Sequence, residues 1–320
     1  MSVTPAQFDA AGNMQELYDL LTSCGIENGW NKPEPSLWPL PRKDFLPAHW
    51  SYAIGKSALN AAGRFVNTEL AERRNLILAN PVAGNKYPTV KTLVAAYQMV
   101  KAGERARSHR HTANALRLVL DTAENAFTIV GGKKIPMLPG DVLLTPNWSW
   151  HGHSNESAEN AYWMDFLDVP MVHMLGPMFF EHHPDAHEAA SEIVVESPFR
   201  FPFTQSVERL DAAPEISSGV RRIQLGAPAL DTIALHVTRI EAGATYVVEP
   251  STVSTIWAGM KGAGSALIDG ETFAFARGDA LAGPRGATQM WSAHETVYLL
   301  SVSDEPVLKA LSWLRPIKPA

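Results

Sequence analysis

The chain predicts a mainly β protein, two antiparallel jelly-roll barrels behind a partly helical N-terminal arm. Three observations carry this. From Thr92 onward, short β-branched or apolar segments alternate with turn signals, as in Thr92–Val100, Leu116–Leu120, Ala126–Val130 and Val142–Thr145. The 22 glycines and 23 prolines are spread along the chain, which favours many turns over a helical bundle. The third is an internal repeat. The stretch Gly103 to Arg117, with His109 and His111 inside it, lies on Gly243 to Trp257, where Glu249 and Ser251 stand in the histidine positions. Further on, Gly140-Asp141 followed by Pro146 matches Gly278-Asp279 followed by Pro284 with the same spacing. Two diverged copies of one β module account for both blocks.

Taken in order, the segments divide as follows. Leu17, Leu20 and Leu21 fall at helical spacing within Met14–Cys24, and Gly25 supplies a stop. A proline-rich connector runs from Lys32 to Pro47, and a second helix is expected over about Ser51–Leu70. Strand signals then dominate, and Gly131-Gly132 joins two of them as a hairpin turn does. The expected organisation is an arm over 1–90, a first barrel over 91–170, a linker and inter-barrel segment over 171–228, a second barrel over 229–302, and a C-terminal helix or tail over 303–320. At 320 residues the chain is long enough for two such units, at roughly 150 residues each.

Composition narrows the work this chain can do. Hydrophobic residues make up 46% and charged residues 19%, the latter below the ordinary share of about 25%. That leaves apolar material for a sizeable core and for a subunit interface. Thirty-three acidic against 27 basic side chains give a net charge of −6, which argues against nucleic acid as a partner. A single cysteine, Cys24, excludes an intramolecular disulfide framework and any CxxC metal motif. No basic-then-apolar leader and no run of about 20 apolar residues is visible, so the expectation is a cytoplasmic protein without a membrane partner.

Histidine carries the chemistry. Eight of the 11 histidines fall between positions 109 and 187, in two notable groups, His109-Arg110-His111 and Trp150-His151-Gly152-His153. Residues i and i+2 of a strand share a face, so His109 and His111 can present both rings to one metal ion. His151 or His153, from a neighbouring strand, can supply a third nitrogen. Three neutral imidazoles with open positions suit Fe(II), Mn(II), Ni(II), Cu(II) or Zn(II), and ligand type alone does not choose.

The two blocks resemble the paired motifs of the cupin superfamily, Gly-(x)5-His-x-His and Gly-(x)5-Pro followed by His-(x)3-Asn. The fuller strings SHRHTANALR, PMLPGDVLLTPNWSWHGHSNE and YWMDFLDVPMV are similar to the gentisate 1,2-dioxygenase family, which includes salicylate, hydroxynaphthoate and nitrosalicylate ring-cleaving enzymes. The likeness runs from about Ala71 to Phe180, with a weaker second cupin to about residue 302. It implies a bicupin with Fe(II) held by His109, His111 and His151. It also implies a second barrel without metal, since the ligand positions there read Glu249, Ser251 and Gln289. The implied reaction opens an aromatic ring with O2 between the carboxyl-bearing and hydroxyl-bearing carbons of a 2-hydroxybenzoate, and the implied assembly is a homotetramer.

Further residues follow from the same resemblance. Arg117 lies an even offset beyond His111 and matches a substrate-carboxylate contact. Arg73 is the second such match, and Arg73 and Arg74 cannot be separated at this level. His153 shares a strand face with His151 and is expected beside the phenolate or the bound oxygen. Asp165 matches an acid near the pocket. Val94 and Ala96 stand where related enzymes carry an aromatic and a small residue against the ring. Val94 removes a wall there, which leaves room for 5-substituted salicylates such as 5-nitrosalicylate, or for a bicyclic acid such as 1-hydroxy-2-naphthoate, as well as for gentisate and salicylate. Other classes on the same fold are a metal-dependent isomerase or hydrolase, and a non-catalytic bicupin acting as a ligand sensor or storage protein. The run Glu181-His182-His183-Pro184-Asp185-Ala186-His187 is read as a loop, because Pro184 breaks any helix that would align its histidines.

Overall fold

The structure is a computed structural model and describes residues 3–67, 70–71, 73–226 and 229–317. Two units separate by internal contacts, residues 1–42 and 43–320. In the first, the helix Met14–Ser23 starts on Asn13, whose side chain accepts from Glu16 N at 3.0 Å, and ends before Gly25 at φ 66°.

Four sheets, antiparallel except where the short strand Glu192–Ile193 runs parallel to Lys133–Pro136, make up most of the second unit. Two six-stranded sheets form the first barrel. One contains Arg74–Ile77, Val94–Val100, Ala161–Leu167, Ala115–Asp121 and Val142–Thr145, and the other contains Arg105–His111, His151–Asn155, Ala126–Val130 and Lys133–Pro136. A seven-stranded and a four-stranded sheet form the second barrel. The fold is therefore the mainly β pair of barrels that the repeat predicts, with helices toward the N-terminus. The repeated glycines serve the same bends in each copy: Gly103 and Gly243 have φ of 74° and 79°, and Gly140 and Gly278 have 89° and 86°. Only glycine adopts that conformation without strain. Gly131 and Gly132, at 55° and 75°, make the expected two-residue hairpin between Ala126–Val130 and Lys133–Pro136.

Three differences from the sequence reading have simple causes. The second helix spans Tyr52–Phe65 and stops five residues earlier than its periodicity suggests; residues 68 and 69 lie outside the described set. Strand Ala48–Trp50, just after the proline-rich connector and unmarked by any pattern, pairs with Ala280–Gly283 of the second barrel. Three residues are too few to show alternation. The run after Glu181 is also not all loop, since Phe180–His182 forms an edge strand against Arg105–His111.

The largest apolar cluster lies where the barrels meet. It joins Leu116, Leu118 and Phe166 of the first with Leu235, Ile256 and Val302 of the second. The alternate residues of those strands, such as Arg117, Trp163 and Trp257, face the barrel interiors. Burial on both faces explains why these strands read as continuous apolar runs and why charge is scarce. Truncating one such side chain, Leu116→Ala for example, is expected to cost about 2–5 kcal/mol.

Candidate metal centre

The metal-type histidines come from two neighbouring strands. His109 and His111 close Arg105–His111, and His151 opens His151–Asn155. Ala106 pairs with His153 and His109 with His151, so the first strand carries one extra residue between them. That bulge turns His109 to stand opposite His151. Close approach of the strands also requires Gly152, because a Cβ there would lie 2.7 Å from Ser108 Oγ and 3.4 Å from the Ala106 carbonyl.

Ligand nitrogens of His109, His111 and His151 all lie within 4.8 Å of one another. Each ring is oriented through its other nitrogen. Nδ1 of His109 meets the Arg107 carbonyl at 3.2 Å, that of His111 meets Ala113 at 2.8 Å, and that of His151 meets Ser149 at 2.9 Å. A ring that donates from Nδ1 to a carbonyl keeps its lone pair on Nε2, the form a metal ligand needs. Burial, then the Arg73 charge, pushes His109 down to about 3. Burial pushes His111 down, and with the neighbouring rings holds His151 well below its ordinary value. All three are neutral at physiological pH. Three buried, neutral, converging imidazoles fit a first-row divalent ion. On the outer face, the Arg110 guanidinium sits 4.5 Å from both the Trp148 and Trp150 rings and pairs with Glu181 at 2.5 Å, which braces the His-Arg-His strand.

Beside the cluster runs a buried polar ladder. Arg73 Nε donates to Gln98 Oε1, and Gln98 Nε2 donates to Asp165 Oδ2 at 2.6 Å. Asp165 Oδ1 stands 3.4 Å from Arg117 Nε. Arg117 Nη1 then reaches Thr128 Oγ1 at 3.1 Å and His153 Nδ1 at 2.7 Å. Arg117 is 1% exposed, and burial brings its guanidinium down only to about 10, so it remains a cation. Burial, then the Arg117 charge, holds His153 well below its ordinary value, hence neutral. Arg117 Nε, Asp165 Oδ1 and Trp163 Nε1 are buried without hydrogen-bond partners.

Every site residue expected from the sequence falls in or beside this region, and the structure separates the two arginines. Arg73 joins the ladder, whereas Arg74 bonds to the Val66 carbonyl and pairs with Glu104. Val94 and Ala96 pair with Leu167 and Asp165, which turns them to the interior face that carries Arg117. Gln98, Thr128, Trp163 and Phe180 were not singled out as site residues. Gln98 leaves one trace in the sequence, an amide in an otherwise apolar run, Val94 to Val100. Phe180 leaves none: its ring reaches His109, at 5.2 Å between centroids, from the returning edge strand. In the second barrel Glu249 is exposed, while Gln289 is buried and accepts from Trp257 Nε1 at 2.8 Å.

A jelly-roll barrel with three neutral imidazoles converging inside it defines a metal-binding cupin enzyme. Comparison with known proteins agrees and goes further. Residues 96–169 match the model of the cupin domain. A gentisate 1,2-dioxygenase from Streptomyces sp. is 30% identical, covering 94% of each chain. A 1-hydroxy-2-naphthoate 1,2-dioxygenase from Nocardioides sp. (strain KP7) is 29% identical over 86% of this chain and 79% of its own. The crystal structure of a salicylate 1,2-dioxygenase from Pseudaminobacter salicylatoxidans superposes with a TM-score of 0.87 at 26% identity, covering 95% of this chain and 97% of its own; that enzyme has also been solved as its adducts with gentisate. The chain belongs to the gentisate/salicylate 1,2-dioxygenase family of cupin proteins. It is a ring-cleaving 1,2-dioxygenase of the gentisate/salicylate type with a three-histidine metal site. Among the described residues, no helix is long and apolar enough to cross a membrane.

Proposed function

We propose that the first barrel opens a 2-hydroxybenzoate between its carboxyl-bearing and hydroxyl-bearing carbons, incorporating both atoms of O2, with Fe(II) held by His109, His111 and His151. One observation carries this reading: the buried ladder from Arg73 to His153 lies beside the imidazole cluster and presents two guanidinium groups in one apolar barrel. Arg117 meets Asp165 only across 3.4 Å and keeps a buried Nε without a hydrogen-bond partner, and a carboxylate is the planar group that matches a guanidinium. When bound, the ion supplies Lewis-acid polarisation of the substrate oxygens and a path for electrons to O2.

The chain's own residues supply orientation and charge. Arg117 and Arg73 receive the substrate carboxylate. Asp165 and Gln98 hold those two guanidinium groups in register, since each touches one of them. His153, neutral and with one ring nitrogen accepting from Arg117, hydrogen-bonds the substrate's phenolate oxygen through its remaining N–H. Val94 and Ala96 border the ring and leave space at its far edge. Gentisate or a substituted salicylate such as 5-nitrosalicylate is the favoured substrate, with salicylate and 1-hydroxy-2-naphthoate as alternatives. The exposed apolar side chains Met174, Leu175 and Phe179, close in sequence to Phe180, support a homo-oligomer, a tetramer by family likeness. The single cysteine is consistent with a cytoplasmic enzyme.

The test is anaerobic loading with Fe(II), followed by O2 uptake and ultraviolet spectra with gentisate, salicylate, 5-nitrosalicylate and 1-hydroxy-2-naphthoate. Stoichiometric O2 consumption with at least one acid is expected. Absence of uptake with all four would overturn the proposed substrate class.

A further inference from the structure

The second barrel has no imidazole at the three ligand positions, yet its interior is not apolar throughout. Strand pairing sets Arg222 opposite Thr238, His236 opposite Gln224 and Ser301, and Trp257 opposite Ser301. Paired residues share a sheet face, so all of these look into the barrel. Arg222 crosses the interior and donates from Nη1 to Tyr246 Oη at 2.7 Å. Its Nε is buried without a hydrogen-bond partner, as are His236 Nδ1 and Thr238 Oγ1. Among the described residues, no carboxylate pairs with this guanidinium. A cavity of about 120 Å³ adjoins it, lined also by Thr255, Trp257, Gln289 and Ser303. Gln289 Oε1 is taken by the Trp257 indole, which leaves its amide Nε2 as a second donor on the cavity wall. Two acids share that wall. Glu249 is exposed to solvent, and Glu305 is already paired with Lys309. Among the described residues neither acid forms an ion pair with Arg222, whose Nε stays without an acceptor.

The repeat gives this arginine a meaning. Lys101-Ala102-Gly103 lies on Glu241-Ala242-Gly243, which sets strand Val94–Val100 on Ala234–Ile240 and Gln98 on Thr238. Asn75 faces Gln98 in the first barrel, and Arg222 faces Thr238 in the second. Arg222 therefore takes the register position of Asn75, and the counterpart of Arg73 is Val220, so this interior arginine is peculiar to the second copy. The second copy lacks the metal positions and carries an arginine on the interior face where the first has Asn75.

We propose that the second barrel holds a binding site for a small carboxylate, anchored by the Arg222 guanidinium with the Gln289 amide as second donor. At ~30 Å³ of liquid volume per water, the cavity has room for about four waters, which suits an anion the size of formate or acetate. A buried donor without an acceptor is unfavourable, and a carboxylate satisfies two at once.

The experiment is a titration of the metal-loaded full-length enzyme with 13C-labelled acetate, followed by nuclear magnetic resonance at constant ionic strength in chloride. Carboxylate binding at the first barrel is separated by the variant Arg117→Met. That variant should keep an acetate site, and Arg222→Met should lose one, with affinity at the second barrel at least tenfold weaker. Arg222→Met should also retain wild-type ring cleavage. Equal stoichiometry and affinity in wild type and Arg222→Met would overturn the proposal. If Arg222→Met does not fold, crystals of the wild-type enzyme soaked in acetate decide: planar density against Arg222 and Gln289 supports it, and water or chloride alone refutes it.

Discussion

Arg117 Nη1 stands 2.7 Å from Nδ1 and 2.9 Å from Nε2 of His153, with both residues sealed inside the first barrel at 1% and 2% exposure. A permanent cation against an imidazole keeps that imidazole unprotonated, since burial and the guanidinium charge act in the same direction. The pair thus sets a cation beside a neutral ring whose lone pair it engages, which leaves an imidazole N–H as the second donor.

Replacing Arg117 by methionine should lower kcat/KM by 10²–10³-fold, about 3–4 kcal/mol, because a charge-assisted contact in a water-excluded site is lost. Metal content should not change. Arg117→Lys should recover only part of the loss, as an ammonium lacks the planar fork. Steady-state kinetics with metal analysis on the same samples checks this. A parallel fall in bound metal would mean that Arg117 acts by holding up the barrel.

Metal binding should depend on one barrel. His111→Ala is expected to abolish stable metal uptake, whereas Gln289→Ala should bind the same amount as wild type. Elemental analysis after dialysis separates the outcomes, and loss of metal in Gln289→Ala would contradict a single-barrel centre.

Val94 is fully buried on the interior face and opposite Leu167. Enlarging it in Val94→Phe should narrow the pocket against larger rings. The ratio of kcat/KM for 1-hydroxy-2-naphthoate over gentisate should fall about 10–100-fold, the range that pocket volume alone controls. An unchanged ratio would mean the ring does not lie against this strand.

Asp304 links pH to stability. Its carboxylate accepts from Thr92 Oγ1 and from Ser254 N at 2.9 Å, and burial pushes its pKa up from 3.8 to about 6 despite those bonds and the Arg285 charge. The fold favours the protonated form, so its contribution is fully present below pH 3.8 and is lost as pH rises through about 6, by on the order of 3 kcal/mol. Asp304→Asn keeps the shape without the ionisation. Relative to that variant, wild-type Tm should decline between pH 4 and 7; parallel melting curves across that range would rule the effect out.

Legibility followed distance along the chain. His109 and His111 are two residues apart, and alternation along a strand is enough to align their rings. Alternation alone left His151 and His153 open; the family resemblance chose His151, and the bulge before His109, which has no sequence signature here, is what sets it opposite that ring. Arg73 and Arg74 are adjacent and chemically identical; only the contacts with Gln98 on one side and Val66 and Glu104 on the other tell them apart. Phe180 and strand Ala48–Trp50 were invisible for the same reason, since each is placed by partners far away in sequence.

Alone, the sequence determined the local and repeated features: two β modules, their glycine turns, and a histidine pair set by strand alternation. These depend on backbone sterics and periodicity, which act over a few residues. Tertiary structure decided which polar groups meet in the interior. The ladder from Arg73 to His153 draws on strands 80 residues apart, and Arg222 meets Tyr246 across the second barrel. A buried charge is stable only against partners that folding brings to it, so those pairings are properties of the closed barrels.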